Sequence, residues 1–126
     1  MAQDYRELKV WQKAVELTVL IYKSTRSFPR SEMYGLFSQM RRASVSIASN
    51  IAEGRGRING AEFRQFLGIA RGSACELLTQ IHVARVLEYG DARALDEAES
   101  LGNEVSKMLL SFARTLSGSG QSLLRS

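Results

Sequence analysis

The 126-residue sequence has few of the residues from which enzymes and metalloproteins build their sites. His82 is its only histidine and Cys75 its only cysteine, which excludes a two-histidine metal site and the ligand spacing of a thiol–zinc site. No glycine-rich loop is followed by the lysine of a phosphate-binding loop. We therefore predict no metal and no cofactor. The lone thiol also excludes an internal disulfide, suits a reducing compartment, and is expected to be a small buried apolar residue.

Long apolar runs are absent as well. The N-terminal stretch MAQDYRELKV has no basic segment followed by an apolar one, so it does not resemble a signal peptide. No apolar run approaches the roughly 20 residues of a membrane-spanning helix. These absences predict a cytoplasmic protein that makes no contact with a membrane.

Charges of both signs are present, but they are unevenly distributed along the chain. Residues 1–71 hold twelve Lys/Arg and six Asp/Glu, whereas residues 72–126 hold five and seven. The net charge of +4 is by itself weak evidence for nucleic-acid binding. The asymmetry is more informative, because it provides a basic surface for an acidic partner or for the acidic surface of a second copy.

Proline is nearly absent, and Pro29 marks the first break in a helical pattern. A residue before proline avoids the helical region, so the first helix is predicted to end near Ser27. No strand-like alternation occurs, and short connections between long amphipathic helices predict an all-α fold, an antiparallel up-and-down four-helix bundle. The predicted helices cover about 5–27, 35–55, 60–89 and 92–117, which together form one domain over 1–117, and 118–126 is a flexible Gly/Ser-rich tail.

Local signals set the ends and the core faces of these helices. Gly54 and Gly56 are predicted to stop helix two, and Asn59 with Glu62 fits a reciprocal N-cap at the start of helix three. Gly68 and Gly72 lower the helix propensity of helix three, which packing or a partner must offset. Helix four is capped by Asp91 and has an unbroken heptad of core positions: Leu95, Ala98, Gly102, Val105, Leu109, Phe112 and Leu116. The aromatic residues Trp11, Tyr34, Phe63 and Phe66 are assigned to the core.

Few polar residues suggest chemistry. Arg42 and Glu53 share a face of helix two and are predicted to form a structural ion pair. Glu53 and Glu76 are candidates to lie near each other across helices two and three; paired carboxylates can hold magnesium, but in a basic helical protein they more often neutralise arginines. Asn50 either bonds a neighbouring helix or faces a polar interface. No general base or metal-ligand constellation is present, so the sequence does not predict an enzyme.

A family resemblance rests on five blocks, in this order: VWQKA, FPRSEMYGL, SQMRRA, SNIAEG and ARGS. Over about residues 5–116 the chain closely resembles the four-helix-bundle proteins encoded by intervening sequences of bacterial 23S ribosomal RNA genes. The resemblance implies homopentameric rings of antiparallel bundles. A related accessory protein of diversity-generating retroelements has a similar basic barrel that binds nucleic acid and reverse transcriptase. Two positions depart from the family pattern: Ala48, where members often carry proline, and Leu78, where they often carry glutamate.

The candidate site is a set of arginines near helices two and three. Arg55 and Arg57 are predicted to lie beyond the end of helix two and to reach outward. Two hypotheses remain open. In the first, the arginines form a non-enzymatic, RNA-binding surface that contacts the RNA or DNA backbone without base specificity. In the second, they serve subunit contacts or a protein client, and several pair with Glu53, Glu62 and Glu76. The candidate residues are Arg41, Arg42, Arg55, Arg57, Arg64 and Arg71.

Overall fold

The computed structural model describes residues 4–125, and the side chains of residues 4–116. Four helices account for most of it, and no strand occurs in this part of the chain. The elements are a 3₁₀ turn at Tyr5–Glu7, α1 (Lys9–Thr25), a 3₁₀ turn at Arg30–Glu32, α2 (Leu36–Arg55), α3 (Gly60–Val86) and α4 (Ala92–Arg125).

The four helices pack as neighbours in chain order, and α4 closes against α1. Thr18 Oγ1 on α1 donates to the Ser44 carbonyl of α2 at 3.0 Å, and the hydroxyls of Ser46 and Ser73 join α2 to α3 at 2.8 Å. Lys13 of α1 and Glu104 of α4 form an ion pair of 3.3 Å, which joins the first helix to the last. The short connections make sequential helices antiparallel, as predicted for an up-and-down bundle.

Each helix contributes large side chains to one central core. Removing a Leu, Ile or Met side chain from water stabilises the fold by roughly 1.5–3 kcal/mol, so this core is the main source of stability. The heptad of α4 is confirmed, with Leu95, Ala98, Val105 and Leu109 buried and Phe112 and Leu116 packed at its end. The largest fully buried apolar side chains are Leu17, Ile21, Met40, Ile47, Ile51, Leu67, Leu77, Ile81, Leu95, Val105 and Leu109.

Two predicted helix starts are confirmed by their caps. Asn59 Oδ1 accepts the Glu62 N–H at 2.9 Å, and the Asn59 side-chain amide donates to Glu62 Oε1 at 3.1 Å. The reciprocal bond therefore uses the asparagine side chain and not its backbone N–H. At α4, Asp91 Oδ2 accepts the Ala94 N–H at 3.1 Å.

Other helix boundaries differ from the prediction. α1 begins at Lys9 and not near residue 5, because Asp4 caps the 3₁₀ turn and Leu8 is extended. α3 ends at Val86, before Glu88 and Gly90 adopt φ values of 60° and 73°. The helical backbone of α4 continues to Arg125, through most of the predicted tail, since glycine and serine weaken a helix without removing its hydrogen bonds. The side chains of that segment lie outside the described residues.

Two residues assigned to the core are in fact exposed. Cys75 lies on the outer surface of α3, so the expectation of a buried thiol is wrong. Tyr34 precedes α2 in the loop after Pro29 and is 91% exposed. Both assignments rested on residue type alone: Cys75 lies outside the buried stripe of α3, and Tyr34 lies in no helix. Trp11, by contrast, packs against the core and meets the Tyr5 ring edge-on at 5.3 Å.

Gly54 is required for close packing and not to stop α2. The helix continues to Arg55, and Gly56 is its C-cap. Gly54 is buried, and a Cβ atom there would lie 2.6 Å from Phe66 Cβ and 3.0 Å from Phe63 Cδ1. The missing side chain therefore allows α2 and α3 to approach each other at this level.

We expect Gly54→Ala to lower the free energy of unfolding by about 1–3 kcal/mol, measured by urea denaturation. Phe66 Cβ is attached directly to the backbone and cannot rotate away, so the helices must separate. Gly60→Ala is the control, because no heavy atom lies within 4 Å of its added Cβ. It should leave stability unchanged or raise it by about 0.4–1 kcal/mol. A Gly54→Ala variant as stable as the parent would contradict this role.

Candidate functional site

Arg41 is occupied within the fold. Its Nε donates to Thr25 Oγ1 at 2.9 Å, and its Nη2 donates to the Tyr22 carbonyl at 3.4 Å. The guanidinium carbon lies 4.7 Å from the centroid of the Tyr22 ring and 4.9 Å from that of Phe37. These contacts fasten α2 to α1, so Arg41 is a structural residue.

The predicted ion pair between Arg42 and Glu53 is wrong. The two residues are eleven apart in α2, which separates them by about 16 Å along the helix axis. Glu53 Oε2 instead accepts from Arg57 Nη2 at 2.8 Å, one turn further along the chain. Arg42 is exposed and donates only to Gln39 Oε1, at 3.2 Å.

Glu53 and Glu76 do not form an acidic pair. Because Ser46 faces Ser73 in the antiparallel α2–α3 contact, Glu76 lies near the first half of α2 and Glu53 lies near its end. Glu76 and Arg42 line the same groove of about 230 Å³. Glu76 accepts only a 3.1 Å hydrogen bond, from the Gln80 amide.

Asn50 supports the α2–α3 contact from within its own helix. Its amide donates to the Ser46 carbonyl at 2.8 Å and to Ser46 Oγ at 3.0 Å. Ser46 Oγ in turn bonds Ser73 across the interface. Asn50 therefore orients the serine that reaches the neighbouring helix.

Arg55 and Arg57 lie at one end of the bundle, around the α2–α3 connection. The guanidinium carbon of Arg55 is 5.8 Å from the Phe63 ring centroid, and that of Arg57 is 4.8 Å from the Phe66 ring centroid. Both arginines line an open groove of about 350 Å³ that also contains Ile58, which is 98% exposed. Arg57 lies beyond the end of α2 and is exposed, as predicted, but it pairs with Glu53. Arg55 is the last residue of α2, so the prediction that it lies beyond the helix is wrong.

Arg64 and Arg71 lie on a different side, where α3 meets α4. They are seven residues apart on α3, and Leu78 and Arg85 follow at the same spacing, so the four residues form a line along one side of the helix. Leu78 lies against Gly102 of α4, where an added Cβ would be 3.0 Å from its Cδ2, and Arg85 contacts the acidic residues of α4. The whole line therefore faces α4.

Two basic residues of α4 lie at the same levels of the bundle. Gly102 is opposite Leu78, and the Phe112 ring is 5.1 Å from the Phe63 ring. In the antiparallel pair, Arg71 therefore lies level with the residues around Lys107, and Arg64 with the residues around Arg114. Lys107 and Arg114 are exposed and line one groove on α4. We call this set the α3–α4 basic face: Arg64, Arg71, Lys107 and Arg114.

None of the four cations of the α3–α4 basic face has an ion-pair partner among the described residues. Residues 63–75 of α3 and residues 105–125 of α4 contain no carboxylate. The Nε of Arg71 is buried without a hydrogen-bond partner, while Arg64, Lys107 and Arg114 are exposed. Positive charge on this face is therefore not compensated by an ion pair within the described chain.

Lys107 and Arg114 are not among the site residues predicted from the sequence. They lie in residues 72–126, whose net charge is negative. That net charge does not show that the residues after Glu104 include no carboxylate. A usable signal was present, since both follow Glu104, the last carboxylate of the chain, and they are seven residues apart on one helix side.

The acidic residues of α4 are compensated at the other end of the bundle. Arg85 Nη2 donates to Asp96 Oδ1 at 2.6 Å and to Glu99 Oε1 at 2.9 Å. The hydrogen bond from Arg85 lowers the pKa of Glu99, and these bonds raise the pKa of the Arg85 guanidinium. The negative charge of Asp96 and Glu99 is thus held away from the α3–α4 basic face, and Glu104 pairs with Lys13 of α1.

Within the described residues, no group of three or more His, Cys, Asp or Glu side chains is placed to hold a metal ion. In the same part of the chain, no helix has both the length and the apolar character needed to cross a membrane.

Comparison with known proteins agrees with this architecture. The family model described as 23S rRNA-intervening sequence protein matches residues 6–111. The chain belongs to this family. A crystal structure of a protein of unknown function, from the S23 ribosomal protein family of Bacteroides thetaiotaomicron VPI-5482, superposes with a TM-score of 0.75. The two share 24% sequence identity over 83% of this chain and 95% of that one, which supports the fold alone. A search of curated proteins finds no match.

The adjacent arginines of the SQMRRA block should differ in their effect on stability. We expect Arg41→Ala to lower the free energy of unfolding by about 1–3 kcal/mol, because it removes a hydrogen bond to Thr25 and the stacking on two rings. Arg42→Ala should change it by less than about 0.5 kcal/mol, since only an exposed contact with Gln39 is lost. Urea unfolding of both variants measures the difference. Equal losses would show that the Arg41 contacts add nothing to stability.

Proposed function

We propose that this chain is a non-enzymatic, homo-oligomeric protein that binds the phosphate backbone of nucleic acid through the α3–α4 basic face. The observation that supports this most strongly is the group of four cations that have no ion-pair partner among the described residues and lie in two segments, 63–75 and 105–125, without a carboxylate. Cations that already neutralise carboxylates have less to gain from a phosphate. Those of the α3–α4 basic face have no such competitor.

The same face favours backbone contacts over base recognition. Sequence-specific reading of single strands uses exposed aromatic rings on which bases stack. The α3–α4 basic face consists of arginine and lysine side chains, and the nearby rings of Phe63 and Phe112 face each other inside the bundle. We therefore propose structured or double-stranded RNA as the ligand class, and the name of the family makes ribosomal RNA the first to test.

The proposal includes no catalytic step. Glu53 and Glu76 lie apart, and neither is positioned with a second carboxylate for magnesium-dependent chemistry. RNA recovered after incubation with the protein and magnesium should therefore be intact.

A homopentameric ring is the assembly that the family resemblance implies, and we propose it for this chain. Exposed apolar side chains on α1, α2 and α3 support self-association, because soluble monomers rarely present them in groups. Repeating the α3–α4 basic face around a ring multiplies a modest local charge into a stronger field.

An interaction scaffold is the second candidate function. It is favoured by the involvement of Arg41, Arg55 and Arg57 in contacts within the chain. In that case the exposed apolar residues serve a protein client, and affinity for RNA is incidental.

Replacing Arg71 and Lys107 together by glutamine should weaken RNA binding at every sequence tested. Each neutralised phosphate contributes roughly 0.7–0.9 to the slope of log affinity against log salt, so the double variant should lose about 1.4–1.8 from that slope. Fluorescence anisotropy with two unrelated RNA hairpins, over a series of salt concentrations, measures both quantities.

The matched control is Arg30→Gln with Arg93→Gln. Both residues are exposed, neither side chain has a partner in the structure, and the net charge again falls from +4 to +2. This control should retain most of the affinity. If both double variants lose affinity equally, binding follows net charge and not a site. If Arg55→Ala with Arg57→Ala has the larger effect, the ligand binds at the end of the bundle instead.

Light scattering of the purified protein at micromolar concentration should give a multiple of the 14.0 kDa chain mass, with five copies as the expected number. A monomer would contradict the assembly proposal, whereas RNA binding by the α3–α4 basic face can be tested in either state.

A further inference from the structure

Two faces of the bundle, away from the α3–α4 basic face, expose apolar side chains to solvent. The first, the valine face, consists of Val19 and Tyr22 on α1 and Val45 on α2. These residues are 47%, 39% and 42% exposed. Thr18 bonds the carbonyl of Ser44, so the next residues of each helix, Val19 and Val45, lie at the same level. The three side chains therefore form one continuous apolar patch.

The second, the glycine face, is the outer side of α3. Ile69, Gly72, Glu76, Thr79 and Val83 follow at spacings of three and four residues, which places them on one side of the helix, and Gly68, four residues before Gly72, borders this side. Ile69 is 48% exposed and Val83 is 39% exposed. Glu76 is the only charged residue in this series, which is unusual for a helix side exposed to water.

The glycines of α3 have no function inside the chain. A Cβ added to Gly68 or to Gly72 would meet no heavy atom within 4 Å. Each glycine costs about 1 kcal/mol of helix propensity relative to alanine, so two of them in mid-helix require a gain elsewhere. Close approach of another surface to the α3 backbone supplies such a gain, and the exposed Ile69 beside them would be covered by the same contact.

We infer that the valine face of one copy docks on the glycine face of the next copy. This inference rests on the proposed homo-oligomer and names the surfaces that form it. The two faces are complementary in shape, because one presents protruding side chains and the other leaves the helix backbone uncovered at Gly68 and Gly72. They also differ in charge: Lys23 and Arg26 outnumber Glu16 among the exposed residues beside the valine face, whereas Glu76 is the only charged residue within the glycine-face series.

The contact is heterologous, because it joins two different faces. A pair of copies joined in this way still has one free valine face and one free glycine face. Such contacts continue from copy to copy and close when the rotation between copies permits a ring. A partner of another kind would cover one face and leave the other exposed. A second copy covers both faces with a single type of contact.

Two variants, each defective in one face, test the inference. Val19→Glu with Val45→Glu places charge on the valine face, and Gly68→Gln with Gly72→Gln fills the strip on the glycine face. The control, Ile58→Gln with Gly60→Gln, replaces one β-branched apolar residue and one glycine outside both faces, at positions that are 98% exposed and free of neighbours, respectively. Circular dichroism and thermal unfolding check that every variant folds.

We expect the parent and the control to assemble, and each defective variant to sediment as one 14.0 kDa chain. An equimolar mixture of the two defective variants retains one intact valine face and one intact glycine face. It should therefore form a species of twice the chain mass in sedimentation velocity over a concentration series.

The outcomes separate the inference from the proposal on which it rests. A monomeric parent would overturn homo-oligomerisation itself, and the docking with it. An oligomeric parent whose folded defective variants still assemble would overturn only the choice of surfaces. If only one variant assembles, both copies use the same face in the contact, namely the face that is intact in that variant, and the contact is isologous. If the mixture stays monomeric, the two faces do not bind each other.

Discussion

The close approach of α2 and α3 is the constraint on which the rest of the structure depends. Gly54 allows the backbones to meet at the level of Phe63 and Phe66, and the hydroxyls of Ser46 and Ser73 meet further along the same pair. These contacts fix the rotation of each helix about its axis. That rotation decides which arginines face a neighbouring helix, which reach an end of the bundle, and which face water.

The consequence is a separation of arginines that are close in sequence. Arg41 points to α1 and is held by Thr25, whereas Arg42 is exposed on another side of α2. Arg64 and Arg71 face α4, far from both. The arginine-rich stretch therefore does not form one surface, and its charge is divided among structural contacts, an ion pair and the α3–α4 basic face. Positive charge is uncompensated where neighbouring segments of α3 and α4 both lack carboxylates. This is a property of two packed helices and cannot be seen in one stretch of sequence.

The sequence predicted the number of helices, their order and most core positions, because burial imposes a period that is visible in a single chain. The heptad of α4 and the cap formed by Asn59 and Glu62 are examples. Helix ends were less predictable. Glycine is the usual residue just past a helix end, but Gly54 lies inside α2, where neighbouring side chains leave no room for a Cβ atom. Ion pairs were the least predictable. Arg42 and Glu53 share a helix side, yet side-chain reach and not angular position decides whether two charges meet.

The three surfaces of the proposals occupy different sides of the bundle, and this arrangement bears on how they operate together. The valine face lies over α1 and α2, the glycine face on the outer side of α3, and the α3–α4 basic face beside α4. If copies join through the first two, Lys107 and Arg114 on α4 stay outside the contact. Arg64 and Arg71 then lie along its edge, where each copy repeats them at the same distance from its neighbour. Assembly would thus place equivalent cations at regular intervals, which suits the regular phosphates of a helical RNA better than the irregular path of a single strand.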